Sequence, residues 1–220
     1  MRKIPVYFMP GLAASSAIFE NIKLPKDQFE MILLDWDNPK EEESLHNYAK
    51  RLCKKITHEN PVLIGVSFGG ILVQEMAQFV NAKKVIVISS VKSNAEFPRR
   101  MKFAKTTQAY KLLPLSLINI IERLTKYSFS EKVSNRLKLY EKYLSMRDKN
   151  YLAWAIKNVI LWDRKIADPN VIHIHGDADE VFPPKYIKDY ISVKGGTHIM
   201  IVNKYKWLNE KLPKIILGDA

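Results

Sequence analysis

The chain alternates between short, continuously apolar runs and longer stretches whose apolar residues recur every three to four positions. Runs rich in Val and Ile occur at residues 5–9, 31–36, 62–66, 84–89, 171–175 and 190–193. A strand with one face in water alternates apolar and polar residues, whereas a strand covered on both faces is apolar throughout. Most of these runs follow the second pattern, which predicts a parallel sheet flanked by helices. The stretches between them agree. Leu45, Ala49, Leu52, Cys53 and Ile56 repeat at helical spacing behind Ser44, a residue type suited to the N-cap. Residues 71–80 predict a mostly apolar helix, with Gly69 and Gly70 allowing close approach to the sheet. Residues 203–216 predict a last helix with Trp207 and Leu208 on one face, broken at Pro213, which has no N–H to donate.

The alternation stops between residues 91 and 170, where no strand pattern occurs. Helical stretches run instead at 99–113, 115–126, 130–145 and 150–162. The economical architecture is one α/β domain over residues 1–220, with a helical cap inserted at 91–150 after the fourth strand.

Composition narrows the function classes. At 47% hydrophobic residues, the chain can bury a sizeable core. A single cysteine, Cys53, excludes a disulfide framework or a multi-cysteine metal site and suits a reducing cytoplasm. The net charge of +12 raises the possibility of a polyanionic partner. Its location weakens that idea. Residues 91–150 carry 14 basic and 5 acidic side chains, so most of the excess lies on the predicted cap. The apolar run after Met1-Arg2-Lys3 is broken by Pro5, Pro10 and Gly11, and the stretch 112–124 is interrupted by Pro114, Asn119, Glu122 and Arg123. Neither reads as a signal peptide or a membrane span. A soluble cytoplasmic protein with no nucleic-acid partner is the expectation.

The sharpest chemical signal is Gly65-Val66-Ser67-Phe68-Gly69, directly after a strand run and directly before a helix. That context suits a nucleophile elbow, in which a tight turn exposes the serine oxygen beside a helix N-terminus. Such a serine needs a base and an acid to orient the base, in the chain order Ser, Asp or Glu, His. The loop after residues 171–175 reads Gly176-Asp177-Ala178-Asp179-Glu180, and the loop after 190–193 reads Lys194-Gly195-Gly196-Thr197-His198. In open α/β sheets, functional groups gather at the C-terminal ends of the strands, and all three segments fall there. Asp177, Asp179 and Glu180 compete for the acid. Asp177 also suits a turn-forming role.

With these motifs in place, the chain resembles the α/β-hydrolase superfamily over nearly its whole length. The resemblance places the acid on the second aspartate of His175-Gly176-Asp177-Ala178-Asp179, and the base on His198 of Gly195-Gly196-Thr197-His198. It also implies an oxyanion hole formed by the backbone N–H groups of Leu12, in Met9-Pro10-Gly11-Leu12, and of Phe68. Many relatives carry His-Gly where this chain has Pro10-Gly11. The resemblance begins at the family's third strand, which implies a six-stranded sheet in the order 2-1-3-4-5-6.

The implied chemistry is acyl transfer. His198 takes the proton of Ser67 as it attacks a carbonyl, Asp179 fixes the imidazole tautomer, and water releases the acid. A carboxylesterase or thioesterase acting on a small acyl substrate is the leading reading, with a C–C bond or lactone hydrolase as the alternative. A binding protein that uses the basic cap for an anionic partner is the non-enzymatic alternative. No cofactor or metal is called for. Leu113, Leu117 and Ile121 in the cap are candidate substrate contacts, and basic residues such as Arg99, Arg100, Lys102 and Lys105 could guide an anionic group. His46 and His58 read as solvated, His173 as a hydrogen-bonded core or surface residue, and Cys53 as a small apolar packing residue.

Overall fold

The computed structural model describes residues 3–112 and 142–219. Six parallel strands form one sheet in the order β2-β1-β3-β4-β5-β6, the predicted order. The strands are β1 (Ile4–Met9), β2 (Phe29–Leu33), β3 (Val62–Val66), β4 (Lys84–Ile88), β5 (Val171–Gly176) and β6 (Ile191–Val193). The helices are α1 (Leu45–Leu52), α2 (Phe68–Met76), α3 (Arg99–Thr106), α4 (Lys149–Leu161), α5 (Met200–Asn203) and α6 (Tyr205–Leu217).

The uniformly apolar strands arise because both faces of the sheet are covered. Along β3, Leu63 joins one core with Tyr48, Leu52, Leu72 and Trp154. Its neighbours Val62 and Ile64 join the opposite core with Leu208, Leu212 and Ile216. Successive side chains leave a strand on opposite faces, so a strand between two helical layers has no polar position to spare.

Ser44 caps α1 as predicted, its hydroxyl accepting the Asn47 N–H at 3.2 Å. Other boundaries move. β2 spans Phe29–Leu33 rather than 31–36, so Trp36 lies beyond the sheet and packs into the core. The helix predicted at 203–216 is α6, starting at Tyr205 after the short α5, and it runs through Pro213 instead of breaking there. Proline removes one helical hydrogen bond, but Leu208, Leu212, Ile215 and Ile216 are buried on both sides of it and hold the helix against the sheet. Within the insert, the described part of 99–113 divides into α3 and a short 3-10 turn at Ala109–Leu112, and α4 covers Lys149–Leu161. The helices predicted at 115–126 and over most of 130–145 lie outside the described residues.

His58 is not simply solvated. Its Nδ1 lies 2.7 Å from the Tyr7 hydroxyl, because the chain after α1 returns over the sheet and that hydroxyl also accepts the Thr57 N–H. His46 is exposed and rests against the Phe79 ring. His173 is a core residue. Cys53 is partly buried, which pushes its thiol up to about 11 and away from nucleophilic use. Among the described residues, no helix is long and apolar enough to cross a membrane.

All strands being parallel, their C-terminal ends share one edge. At that edge β5 and the loop after β6 nearly touch: a Cβ on Gly176 would lie 2.1 Å from the Gly196 carbonyl oxygen. The Ala178 N–H donates to the same oxygen at 2.9 Å. Backbone cannot yield as a flexible side chain can, so Gly176→Ala should lower stability by about 3 kcal/mol, the upper end for overpacking. Urea denaturation measures this, and an unchanged midpoint would mean that the two loops have room to part.

Candidate active site

Three loops at the C-terminal edge bring Ser67, His198 and Asp179 together. Ser67 links β3 directly to α2 with φ 53° and ψ −118°. An L-residue pays on the order of 1–3 kcal/mol for such a backbone, and the surroundings hold it there. The Ser67 N–H donates to the Ile88 carbonyl at 2.9 Å, and the Ser90 hydroxyl donates to the Ser67 carbonyl at 2.7 Å. The flanking glycines are required by contact. A Cβ on Gly65 would lie 2.2 Å from the Gly69 oxygen, and one on Gly69 would lie 2.3 Å from the Pro10 oxygen.

His198 Nε2 is 3.0 Å from Ser67 Oγ, and His198 Nδ1 is 2.9 Å from Asp179 Oδ2. A carboxylate can only accept, so Nδ1 carries the proton and Nε2 is free to accept from the serine hydroxyl. Asp179 is buried, and its other oxygen accepts the N–H groups of Val181 and Phe182 at 2.8 and 2.9 Å. Burial alone would push this carboxyl up. The hydrogen bond and charge of His198, helped by the Phe182 N–H and by His175, outweigh it and hold Asp179 below its ordinary value.

The rival acids have other positions. Asp177 accepts the Gly195 N–H at 2.6 Å in a turn, and Glu180 is exposed. Of the three, Asp179 alone bonds His198.

The Pro10–Leu12 segment packs directly on the serine: a Cβ on Gly11 would lie 3.3 Å from Ser67 Cβ and 4.0 Å from Oγ. Neither the Leu12 N–H nor the Phe68 N–H has an acceptor among the described residues. Phe68 is the first residue of α2, so its N–H is one that helix geometry leaves unpaired, at the positive end of the helix dipole. Pro10 does not disturb this arrangement. Its carbonyl lies over Gly69, and the turn from Gly11 closes through the Ala14 N–H at 3.1 Å, with Ala13 at φ 64°.

Several supporting residues carry no motif of their own. Ser90 at the end of β4 and Trp36 beyond β2 lie at the same sheet edge, and that position was the one available signal for them. Beneath the acid loop, His175 Nε2 donates to the Phe182 carbonyl at 2.8 Å, leaving its Nδ1 to accept from His173 Nε2 at 3.1 Å. Arg100 donates to the carbonyls of Glu180 and Val181 at 2.6 and 2.7 Å, and Lys102 to that of Ala95 at 2.9 Å. Half of the basic run 99–105 therefore binds this chain's own backbone. Leu113, Leu117 and Ile121 lie outside the described residues. Among the described residues, no group of three or more His, Cys, Asp and Glu side chains is placed to hold a metal ion.

No family model and no curated protein matches the chain. Solved structures do. A thermophilic esterase from Thermogutta terrifontis matches with a TM-score of 0.71 at 14% identity, covering 98% of this chain and 90% of the other. A bromoperoxidase from Bacillus anthracis matches with a TM-score of 0.68 at 18% identity, over 99% and 93% of the two chains. The fold is that of the α/β hydrolases. A structure from Nitrososphaera gargenis, in work on carboxylesterases, shares that hydrolase fold over 100% of this chain and 93% of the other, with a TM-score of 0.65 and 15% identity.

The buried histidines give the hydrolase fold a defined acid response. Burial, first, and then the neighbouring His175 and Lys92 hold His173 well below its ordinary value, and burial lowers His175 as well. Folded values below unfolded ones mean that, below about pH 6.5, the unfolded chain binds more protons. This part of the stability is present above that pH and is lost as pH falls. Asp179, also depressed, adds a second loss below about pH 4. Urea midpoints should therefore fall between about pH 8 and about pH 5, with a shallower fall in His173→Gln. A flat profile in the wild type would contradict the neutral, buried pair.

Proposed function

We propose that the chain is a serine hydrolase that cleaves an ester or thioester bond of a small acyl substrate through an acyl-enzyme on Ser67. The hydrogen-bonded series Asp179–His198–Ser67, with the correct tautomer imposed by the buried carboxylate, is the observation that carries this reading. The strained turn at Ser67, which sets its side chain between β3 and α2 beside His198, supports it further. The solved structures of like fold include an esterase and a structure from work on carboxylesterases.

In the proposed reaction, Ser67 Oγ attacks the acyl carbonyl as His198 Nε2 takes its proton. Asp179 stabilises the imidazolium and keeps Nδ1 protonated and oriented. The carbonyl oxygen, now negative, lies against the Leu12 and Phe68 N–H groups, each worth about 10²–10³ in rate in a preorganised hole. His198 then gives its proton to the leaving alcohol or thiol. A water, deprotonated by the same nitrogen, cleaves the acyl-enzyme and returns Ser67.

In the same reading, the helices between β4 and β5 form a cap over the site. The support is that this segment is bonded to two of the site's loops: Arg100 of α3 to the acid loop, and Tyr151 of α4 to Ala13.

The test pairs labelling with turnover. A fluorophosphonate should modify Ser67 of the wild type and not the Ser67→Ala variant. Hydrolysis of short p-nitrophenyl esters should fall by roughly 10⁴–10⁶ in Ser67→Ala. Equal hydrolysis by the two proteins would remove Ser67 from the reaction and end this reading.

A further inference from the structure

We infer that Trp36 is the positioning residue of the oxyanion hole, its indole N–H aiming the Leu12 donor and its ring bracing the Phe68 donor. The inference rests on the proposed hydrolytic reading and assigns a role to a residue with no motif around it.

The first link is a hydrogen bond. Trp36 Nε1–H donates to the Gly11 carbonyl at 2.9 Å, and Trp36 is buried. The Gly11 C=O and the Leu12 N–H belong to one peptide unit, which is planar and trans, so oxygen and hydrogen point in opposite directions. Whatever holds the oxygen also sets the direction of the N–H. The indole therefore acts on the Leu12 donor without touching it.

The second link is a ring contact. The Trp36 ring stacks on Phe68 at a centroid distance of 4.8 Å and an interplanar angle of 9°. Phe68 supplies the other donor from the first turn of α2. One rigid side chain thus spans both halves of the hole, and the separation of the two N–H groups depends on its thickness and position.

The indole is itself held. The Tyr48 hydroxyl accepts the Asp37 N–H and donates to the Asp37 carbonyl, both at 2.9 Å, which fixes the backbone next to Trp36. The Tyr151 ring lies 5.5 Å from the indole, and its hydroxyl accepts the Ala13 N–H at 3.4 Å. That second bond holds the next peptide of the loop, where Ala13 occupies a left-handed conformation unfavourable for a residue with a Cβ. The Ala14 N–H also bonds the Gly11 carbonyl, at 3.1 Å, but that bond lies within the turn and moves with it; the indole ties the peptide to the core outside the turn, and Gly11 has no side chain to add another tie.

A residue that only fills the core would change stability when altered. A positioning residue changes the transition state selectively, since the donors matter most when the carbonyl oxygen becomes negative. Two proteins separate these roles: Trp36→Phe, and a protein whose residue 36 is the benzothienyl isostere of tryptophan, with sulfur in place of the N–H. The isostere keeps the ring and the stack and loses only the donor.

The measurements are kcat and KM for a p-nitrophenyl ester, the inhibition constant of a trifluoromethyl ketone that forms a tetrahedral adduct, and the melting midpoint. For the isostere, kcat should fall about 10- to 100-fold, less than or equal to the loss of a whole donor. Ketone affinity should fall in parallel, while KM stays within about threefold and the midpoint hardly moves. Trp36→Phe should lose at least as much. Unchanged kcat and ketone affinity in the isostere would overturn the assignment. Fluorophosphonate labelling of the wild type keeps the two ideas apart: an unlabelled Ser67 defeats the hydrolase reading, whereas a labelled wild type with an unimpaired isostere defeats the role of Trp36 alone.

Discussion

The site depends on one backbone constraint, the positive-φ turn at Ser67, the single residue that joins β3 to α2. It exists because three segments can approach within distances that a side chain would forbid. Gly65 and Gly69 meet across the turn, and Gly69 meets the Pro10 carbonyl at the end of β1. The close approach puts the β1 loop on the serine, which places the unpaired Leu12 N–H near the unpaired Phe68 N–H at the start of α2. A side chain at Gly69 would push the Pro10–Leu12 segment away from the Ser67 turn, and one at Gly65 would distort the turn itself. The strain is offset by hydrogen bonds from β4, through the Ile88 carbonyl and the Ser90 hydroxyl.

Electrostatics at the other end of the series follows from burial. Asp179 is an ionised carboxylate in the core, a position that is unfavourable unless its oxygens are fully bonded. Two backbone N–H groups and the His198 N–H meet that requirement, and His175 adds its ring at 3.7 Å. The same bonds that make the charge tolerable also fix its direction. His198 thereby has one tautomer and one orientation available, which is what proton transfer from Ser67 requires.

Much of this was legible in the sequence because it rests on local patterns. Strands covered on both faces are mostly apolar, and a serine between glycines at a strand end gains meaning once an acid and a histidine follow it in later strand-end loops. The residues alone narrowed the acid to three neighbours and the family resemblance chose Asp179; packing supplies the physical reason, since Asp177 turns to the Gly195 N–H while Asp179 turns inward. Pro213 was misleading for the opposite reason. A propensity rule predicted a break, and four buried apolar residues around it overrode the rule. The roles of Trp36, Ser90 and Arg100 were not legible, beyond the sheet-edge position of the first two and the basic charge of the third. Their partners are backbone carbonyls far along the chain, and a carbonyl is present at every position, so no residue pattern marks the pairing.

The basic segment shows how a composition signal changes meaning once partners are known. A surplus of 14 basic over 5 acidic side chains at 91–150 suggests a surface built for an anion. Yet Arg100 spends its guanidinium on two carbonyls of the acid loop and Lys102 on the Ala95 carbonyl, while Lys142 pairs with the Glu20 carboxylate. Lys92 is buried and reaches the Asp189 carbonyl at 3.1 Å. Carbonyl oxygens carry no formal charge, so such bonds consume donors without lowering the net charge. A segment that ties loops together through backbone acceptors will therefore look strongly basic by counting, whatever it binds. The loop gripped by Arg100 begins one residue after Asp179, so part of the positive charge serves to hold the acid in place. Net charge locates such a segment; its hydrogen bonds decide how much of that charge is left for a ligand.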